Sequence, residues 1–111
     1  MQLGMGVPKT FSVPRREPRI PMEVGVQISG HAEIPGAEAT FTQDISSHGA
    51  RVFSIRRWQI NDRLNFATPT GSFQAIARVA YCQPSRDSLF AVGLEFLNPK
   101  GKWIVPGQAA D

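Results

Sequence analysis

The chain of 111 residues is poor in cysteine and histidine and has no long apolar run. Its single cysteine, Cys82, excludes an internal disulfide, and its two histidines are too few for a cluster of zinc ligands. No segment approaches the roughly 18 apolar residues that a membrane-spanning helix requires. The first eleven residues lack the basic start and apolar run of a secretory signal. These absences favour a cytoplasmic protein with no integral membrane segment.

The sequence also lacks the groupings of side chains that catalysis requires. His31 and His48 lie far apart, and no cysteine or carboxylate stands beside either in the arrangement of a catalytic pair. The acidic residues are scattered singly. Cys82 follows Tyr81 on a predicted strand, where a buried and inert thiol is typical. We therefore expect a protein that is not an enzyme and that carries no cofactor or metal.

No segment shows a sustained helical repeat, whereas about six short segments alternate apolar and polar residues between Gly, Pro, Asn and Asp turns. The alternate residues from Phe73 to Tyr81 are predicted to share one face of a strand, and those from Phe90 to Phe96 one face of another. This pattern predicts an antiparallel barrel or sandwich. The segments are 20–30, 38–43, 49–55, 59–69, 71–84 and 88–99.

Positive charge is concentrated at the beginning of the chain. Residues 1–20 contain four basic residues and one acidic residue, which gives +3, whereas residues 21–111 contain eight of each. Three of the basic residues, Arg15, Arg16 and Arg19, stand among prolines, which disfavour a helix. A general nucleic-acid binder is expected to spread its basic residues over a folded face. The basic segment of this chain instead favours a local anionic partner.

A second motif, D-x-S-x-x-G, spans Asp44 to Gly49. In an extended chain Asp44 and Ser46 point to one side, while Ile45 points to the core. One interpretation is a simple turn, in which Asp44 caps backbone amides and Gly49 has a positive φ angle. The other is a binding site shared with the arginines, because arginine forks onto guanine or phosphate and aspartate accepts from guanine N–H groups. A ligand with two guanines and two phosphates would satisfy all these groups.

The two motifs together resemble those of a PilZ domain. The family's R-x-x-x-R segment corresponds to Arg15–Arg19, and its D/N-x-S-x-x-G turn to Asp44–Gly49. The stretches RIPMEVGVQI and VGLEF are also similar to family positions, so the resemblance covers about residues 14–97. It implies a six-stranded antiparallel β-barrel that acts as a receptor for the bacterial second messenger cyclic di-GMP.

The resemblance also implies roles for individual residues. Arg15 and Arg19 would clamp guanine faces and phosphates, Asp44 and Ser46 would contact a guanine edge and the backbone, and Gly49 would allow close approach. Further guanidinium groups are candidates of second rank, and the sequence does not choose among them: Arg16, Arg51, Arg78 and Arg86.

The expected organisation is a flexible N-terminal arm over residues 1–14, a barrel over 15–97 and a tail over 98–111. The tail is rich in Pro and Gly, so the family's C-terminal helix is predicted to be short or absent, although Trp103, Ile104 and Val105 are expected to dock on the barrel. Ligand binding would order the arm and signal to a downstream protein effector.

Two other functions remain open. A PilZ-fold adaptor that ignores the ligand is one alternative. A barrel that binds DNA or RNA through its basic arm is the other, but its neutral body and few aromatic residues disfavour it, since single-strand binders use stacking platforms. We therefore expect cyclic di-GMP and a protein effector as partners, and no DNA or RNA.

Overall fold

The structure is a computed structural model that describes residues 18–103. The predicted flexible arm of residues 1–14, the arginines at 15 and 16, and two of the three predicted docking residues, Ile104 and Val105, lie outside this range. The described residues form eight strands and no helix. The strands are β1 (Ile20–Pro21), β2 (Gly25–Ser29), β3 (Glu38–Ser46), β4 (Gly49–Ser54), β5 (Arg63–Ala67), β6 (Phe73–Pro84), β7 (Phe90–Phe96) and β8 (Lys100–Gly101).

Six of these strands close into a barrel. Neighbouring strands follow the order β3-β2-β5-β6-β7-β4, and pairing of β3 with β4 completes the circle. Every pairing is antiparallel, and the two-residue strands β1 and β8 add to β3 and β6. The predicted six-stranded antiparallel barrel is confirmed. Residues 18–103 include no helix that could cross a membrane.

The apolar residues that alternate along the strands fill the inside of the barrel. Val26 and Ile28 of β2 are almost fully buried, as are Val92 and Leu94 of β7. Burial of each such side chain stabilises the fold by about 1.5–3 kcal/mol. At one end the core is aromatic, because the rings of three phenylalanines lie with centroids 5.0–6.1 Å apart: Phe66, Phe73 and Phe96.

The first predicted strand is divided into β1 and β2. Both run along the same side of β3, and the bend between them is bridged by the Thr42 side chain. The Thr42 hydroxyl donates to the carbonyl of Met22 at 2.6 Å and accepts from the amide of Val24 at 2.8 Å. This bridge satisfies backbone groups that a continuous ladder would pair, and Pro21 has no amide to contribute to one.

Two β-bulges set which side chains face outward. One lies in β3 between Thr42 and Asp44, and the other in β6 between Val79 and Tyr81. The sequence pattern predicts that Tyr81 shares a face with the buried residues from Phe73 to Val79. This prediction is wrong, because the extra residue at the bulge shifts the register by one and puts Tyr81 opposite Gly93, on the outer surface.

The C-terminal part of the described chain returns to the barrel. Strand β8 pairs with the beginning of β6, where Gly101 lies opposite Phe73. Gly101 has φ of 95°, and a Cβ there would lie 2.1 Å from the carbonyl oxygen of Ser72, so only glycine fits. The turn delivers Trp103 to the core, as predicted for this residue, and no helix occurs up to that point.

Candidate ligand-binding site

Two rows of side chains cross four neighbouring strands on the outer surface of the barrel. The strand registers define both rows, in the order β3, β4, β7 and β6. The first row is Asp44, Arg51, Gly93 and Tyr81. The second row is Ser46, Gly49, Glu95 and Arg78. The D-x-S-x-x-G motif therefore supplies residues to both rows. The bulge in β3 puts Asp44 opposite Arg51, and the bulge in β6 puts Tyr81 opposite Gly93.

The carboxylate of Asp44 is held by two guanidinium groups. Arg19, immediately before β1, donates from Nε to Oδ1 at 2.8 Å. Arg51 donates to Oδ2 from Nε at 3.0 Å and from Nη2 at 2.5 Å. Asp44 is buried, whereas the Arg19 side chain is 44% exposed. Asp44 thus joins Arg19 of the R-x-x-x-R segment to the D-x-S-x-x-G turn.

Arg51 remains cationic throughout the physiological range. Its pKa is raised above the ordinary value, chiefly by the hydrogen bond to Asp44; partial burial opposes this rise, and Tyr81 adds to it. A raised pKa on a cation means that its contribution to stability is present at neutral pH and is lost only in strong alkali. Arg51 therefore supplies a permanent positive charge beside the motif.

Glycines at the centre of each row are closely packed by their neighbours. A Cβ at Gly49 would lie 2.2 Å from the carbonyl oxygen of Leu94, and a Cβ at Gly93 would lie 2.2 Å from the Tyr81 ring. Both glycines line a cavity of about 320 Å³, together with other residues of the two rows and Arg19. Gly49 is needed for close packing of β4 on β7. It does not have the positive φ angle of the simple-turn interpretation, nor does Asp44 cap backbone amides.

The far wall of the cavity carries a second ion pair. Arg78 donates from Nε to Oε1 of Glu95 at 2.9 Å and from Nη1 to the side-chain oxygen of Asn61 at 2.9 Å. Together with the Asp44 cluster, the cavity region holds three guanidinium groups and two carboxylates, a net charge of +1. Such a site attracts an anion.

The candidate residues predicted from the sequence fall into three groups. Five lie in or beside the cavity with Asp44: Arg19, Ser46, Gly49, Arg51 and Arg78. Arg86 is in the turn between β6 and β7, which lies at the other end of that strand pair from Arg78 and Glu95. Arg15 and Arg16 are outside the described residues.

Six residues that line the cavity were not predicted from the sequence, namely His48, Ala80, Tyr81, Gly93, Leu94 and Glu95. A glycine within a strand signals close approach of another group, and Gly93 in VGLEF carries that signal. The approaching group itself, the Tyr81 ring, depends on a bulge that alternation does not reveal. Among residues 18–103, no three His, Cys, Asp or Glu side chains converge to hold a metal ion.

A closed antiparallel barrel with a positively charged cavity on its side defines a small ligand-binding β-barrel domain. The model of the PilZ domain family matches residues 14–102, most of the chain, and the chain belongs to that family. PilZ domains bind ligands or act as adaptors and are not a catalytic family, so membership indicates a receptor or adaptor of the cyclic di-GMP kind. No curated protein gives a significant match to the chain.

The contact between Tyr81 and Gly93 leads to a prediction about stability. In Gly93→Ala the new Cβ would overlap the ring, so the ring must leave its place over β7. We expect the free energy of unfolding to fall by about 1–3 kcal/mol, measured by urea denaturation. In a Tyr81→Ala background the same change meets no ring and should cost about 1 kcal/mol less. Equal costs in both backgrounds would show that the ring does not require the glycine.

Proposed function

We propose that the protein is a cytoplasmic bacterial receptor for cyclic di-GMP that passes the signal to a protein effector. The main support is that Arg19, Ser46 and Gly49, which belong to two motifs far apart in sequence, line one cavity, and that Asp44 accepts a hydrogen bond from the same Arg19. A purely structural role in a turn does not require these residues to line a positively charged cavity together with an arginine from another segment.

The proposed contacts follow from the chemistry of these side chains. Arg15 and Arg19 would bind guanine faces and phosphates, where a guanidinium can both stack and fork. Asp44 and Ser46 would accept from or donate to a guanine edge and the backbone, and Gly49 would let the ligand approach β4. Arg51 and Arg78, both at the cavity, are further candidates, as is Arg16; Arg86 is not included, because it lies at the other end of β6 and β7.

The charge of the site suits this ligand. Each phosphodiester of cyclic di-GMP carries one negative charge, and the described cavity region has a net charge of +1, in which Arg15 and Arg16, a few positions before Arg19 in the sequence, are not counted. Charge-assisted hydrogen bonds from guanidinium groups to phosphate are worth about 1.5–3 kcal/mol each. The negative charges of the ligand would therefore neutralise the guanidinium charge that Asp44 and Glu95 leave unbalanced.

Arg19 can change partners at low cost. The Arg19 side chain is 44% exposed, and the buried Asp44 keeps its hydrogen bonds from Arg51 when Arg19 leaves, so we expect the exchange to cost no more than about 1 kcal/mol. A phosphate or guanine in the cavity would compete for the same guanidinium. The segment before Arg19 would then be ordered over the ligand at about 1–2 kcal/mol per residue, a cost that its prolines reduce. The ordered segment would present a new surface to the effector.

Isothermal titration calorimetry with the full chain tests this proposal. Cyclic di-GMP should give saturable heat at micromolar protein, and cyclic di-AMP, which lacks the guanine edge, should bind more weakly. A random oligonucleotide should bind neither tightly nor with steep salt dependence. Absence of heat together with unchanged amide chemical shifts on addition of cyclic di-GMP would refute the proposal.

One observation favours the alternative of a ligand-independent adaptor. Both oxygens of the Asp44 carboxylate are already bound, one by Arg19 and the other by Arg51, so the motif residues satisfy each other without a ligand. An adaptor would hold a protein partner equally well with and without cyclic di-GMP in a pull-down. The receptor that we propose would hold its effector in only one of the two conditions.

A further inference from the structure

The indole of Trp103 is fixed in the aromatic end of the core. Its ring lies 4.9 Å from that of Phe73, 5.2 Å from that of Phe96 and 5.5 Å from that of Phe66, measured between centroids. Strand β8 leads to this position, and the amide of Lys102 donates to the carbonyl of Ser72 at 3.0 Å. Three rings on different strands therefore set the plane of the indole and the direction of its N–H.

That N–H group points at the ligand-binding motif. Trp103 Nε1 donates to the backbone carbonyl of Ser46 at 2.8 Å, across 57 positions of sequence. Ser46 is the serine of D-x-S-x-x-G and stands at the end of β3, where it pairs with Gly49. The backbone carbonyl of the motif serine is thus bound by a residue that follows the last strand, β8.

We propose that Trp103 is a positioning residue for the cyclic di-GMP site; this inference rests on the proposed function. Its hydrogen bond holds the Ser46 carbonyl and with it the path of the chain from Ser46 to Gly49. An indole N–H among phenylalanines requires an acceptor, since an unpaired buried donor is costly. The three phenylalanine rings around Trp103, here called the aromatic cage, fix the indole, and its hydrogen bond then fixes the position of the turn. Because coupling is reciprocal, occupation of the cavity changes the surroundings of Trp103.

Replacement of Trp103 by phenylalanine separates its two contributions. Trp103→Phe keeps an aromatic ring in the cage but removes the donor. We expect the affinity for cyclic di-GMP to fall by about three- to thirtyfold, measured by calorimetry below the unfolding transition. Trp58→Phe is the matched control: Trp58 is also buried and also donates from Nε1, but to the Ser54 hydroxyl at 3.1 Å, away from the motif. It should lose stability and keep its affinity.

Two further measurements complement calorimetry: the first applies where Trp103→Phe is unstable, and the second applies even where the ligand fails to bind. The Trp58→Phe chain has Trp103 as its single tryptophan, and its fluorescence should shift when cyclic di-GMP is added. In the unliganded chain, milder replacement by Trp103→Tyr should move the amide resonances from Ser46 to Gly49, whereas Trp58→Phe should not.

The outcomes distinguish this inference from the proposed function. Wild-type affinity in Trp103→Phe, or equal losses of affinity in the two phenylalanine variants, would overturn the positioning role while the receptor function stands. Failure of the wild-type chain to bind cyclic di-GMP would refute the receptor function and the effect of Trp103 on it. Unmoved resonances from Ser46 to Gly49 would overturn the structural claim in either case.

Discussion

Arg19→Ala is expected to weaken binding of cyclic di-GMP by at least about 100-fold, with little change in the free energy of unfolding. The variant removes two or more charge-assisted hydrogen bonds to the ligand, each worth about 1.5–3 kcal/mol. The hydrogen bond that it removes within the protein joins the half-exposed Arg19 to the buried Asp44, which keeps Arg51 as a partner, so we expect its loss to cost no more than about 1 kcal/mol. Calorimetry and urea denaturation of the same preparation measure the two quantities.

Arg86→Ala is the matched control for this variant. It removes the same charge from the turn between β6 and β7, away from the cavity. Loss of long-range attraction alone would weaken binding in both variants by similar factors, and increasingly so at low salt. Near-wild-type binding by Arg19→Ala, or an equal loss in Arg86→Ala, would contradict a direct role for Arg19.

Gly49→Ala is expected to lower the free energy of unfolding by about 1–3 kcal/mol, near the upper end of that range. The added Cβ would lie 2.2 Å from the backbone oxygen of Leu94, which cannot rotate away as a side chain can. Relief requires β4 and β7 to separate where Gly49 pairs with Glu95, and this deforms the floor of the cavity. Cyclic di-GMP binding should therefore fall together with stability, as urea denaturation and calorimetry would show.

Gly25→Ala provides the comparison. Gly25 also lies in a strand, but a Cβ there would have no neighbour within 4 Å. Removal of a glycine from a strand then leaves stability unchanged or raises it by up to about 1 kcal/mol. If both variants lose the same stability, the effect of Gly49→Ala does not come from its contact with Leu94.

The strands of the barrel were predictable from the sequence because alternation is a local property, whereas closure into a six-stranded barrel was implied by the family resemblance. Every second residue from Phe90 to Phe96 is apolar, and the structure buries those side chains on the inner face of β7. Turn residues such as those at 61 and 62 separate the strands, and Asn61 has the positive φ of 76° that asparagine tolerates. Neither feature depends on which strands pair.

The two motifs of the candidate site were also visible in the sequence, but their arrangement was not. Asp44 and Ser46 were predicted to point to the same side of an extended chain. Arg51 and Arg78 were two of several candidate arginines, and the sequence offered no means to choose the ones at the site. Only the pairing of β4 with β7 and of β7 with β6 puts these residues in rows with Gly93 and Glu95. The register of β4 with β7 joins residues more than 40 positions apart, and the register of β7 with β6 depends on a bulge, so the local pattern holds no information on either.

Strand content, the charge of the first twenty residues and the two motifs follow from the sequence alone, because they depend on residue type and spacing along the chain. The other features of the site come from the folded arrangement. A bulge turned Tyr81 from the core to the surface, closure of the barrel brought Arg19 and Arg51 onto one carboxylate, and β8 delivered Trp103 to Ser46. Each of these results from long-range packing, in which a one-residue change of register moves a side chain to the opposite face.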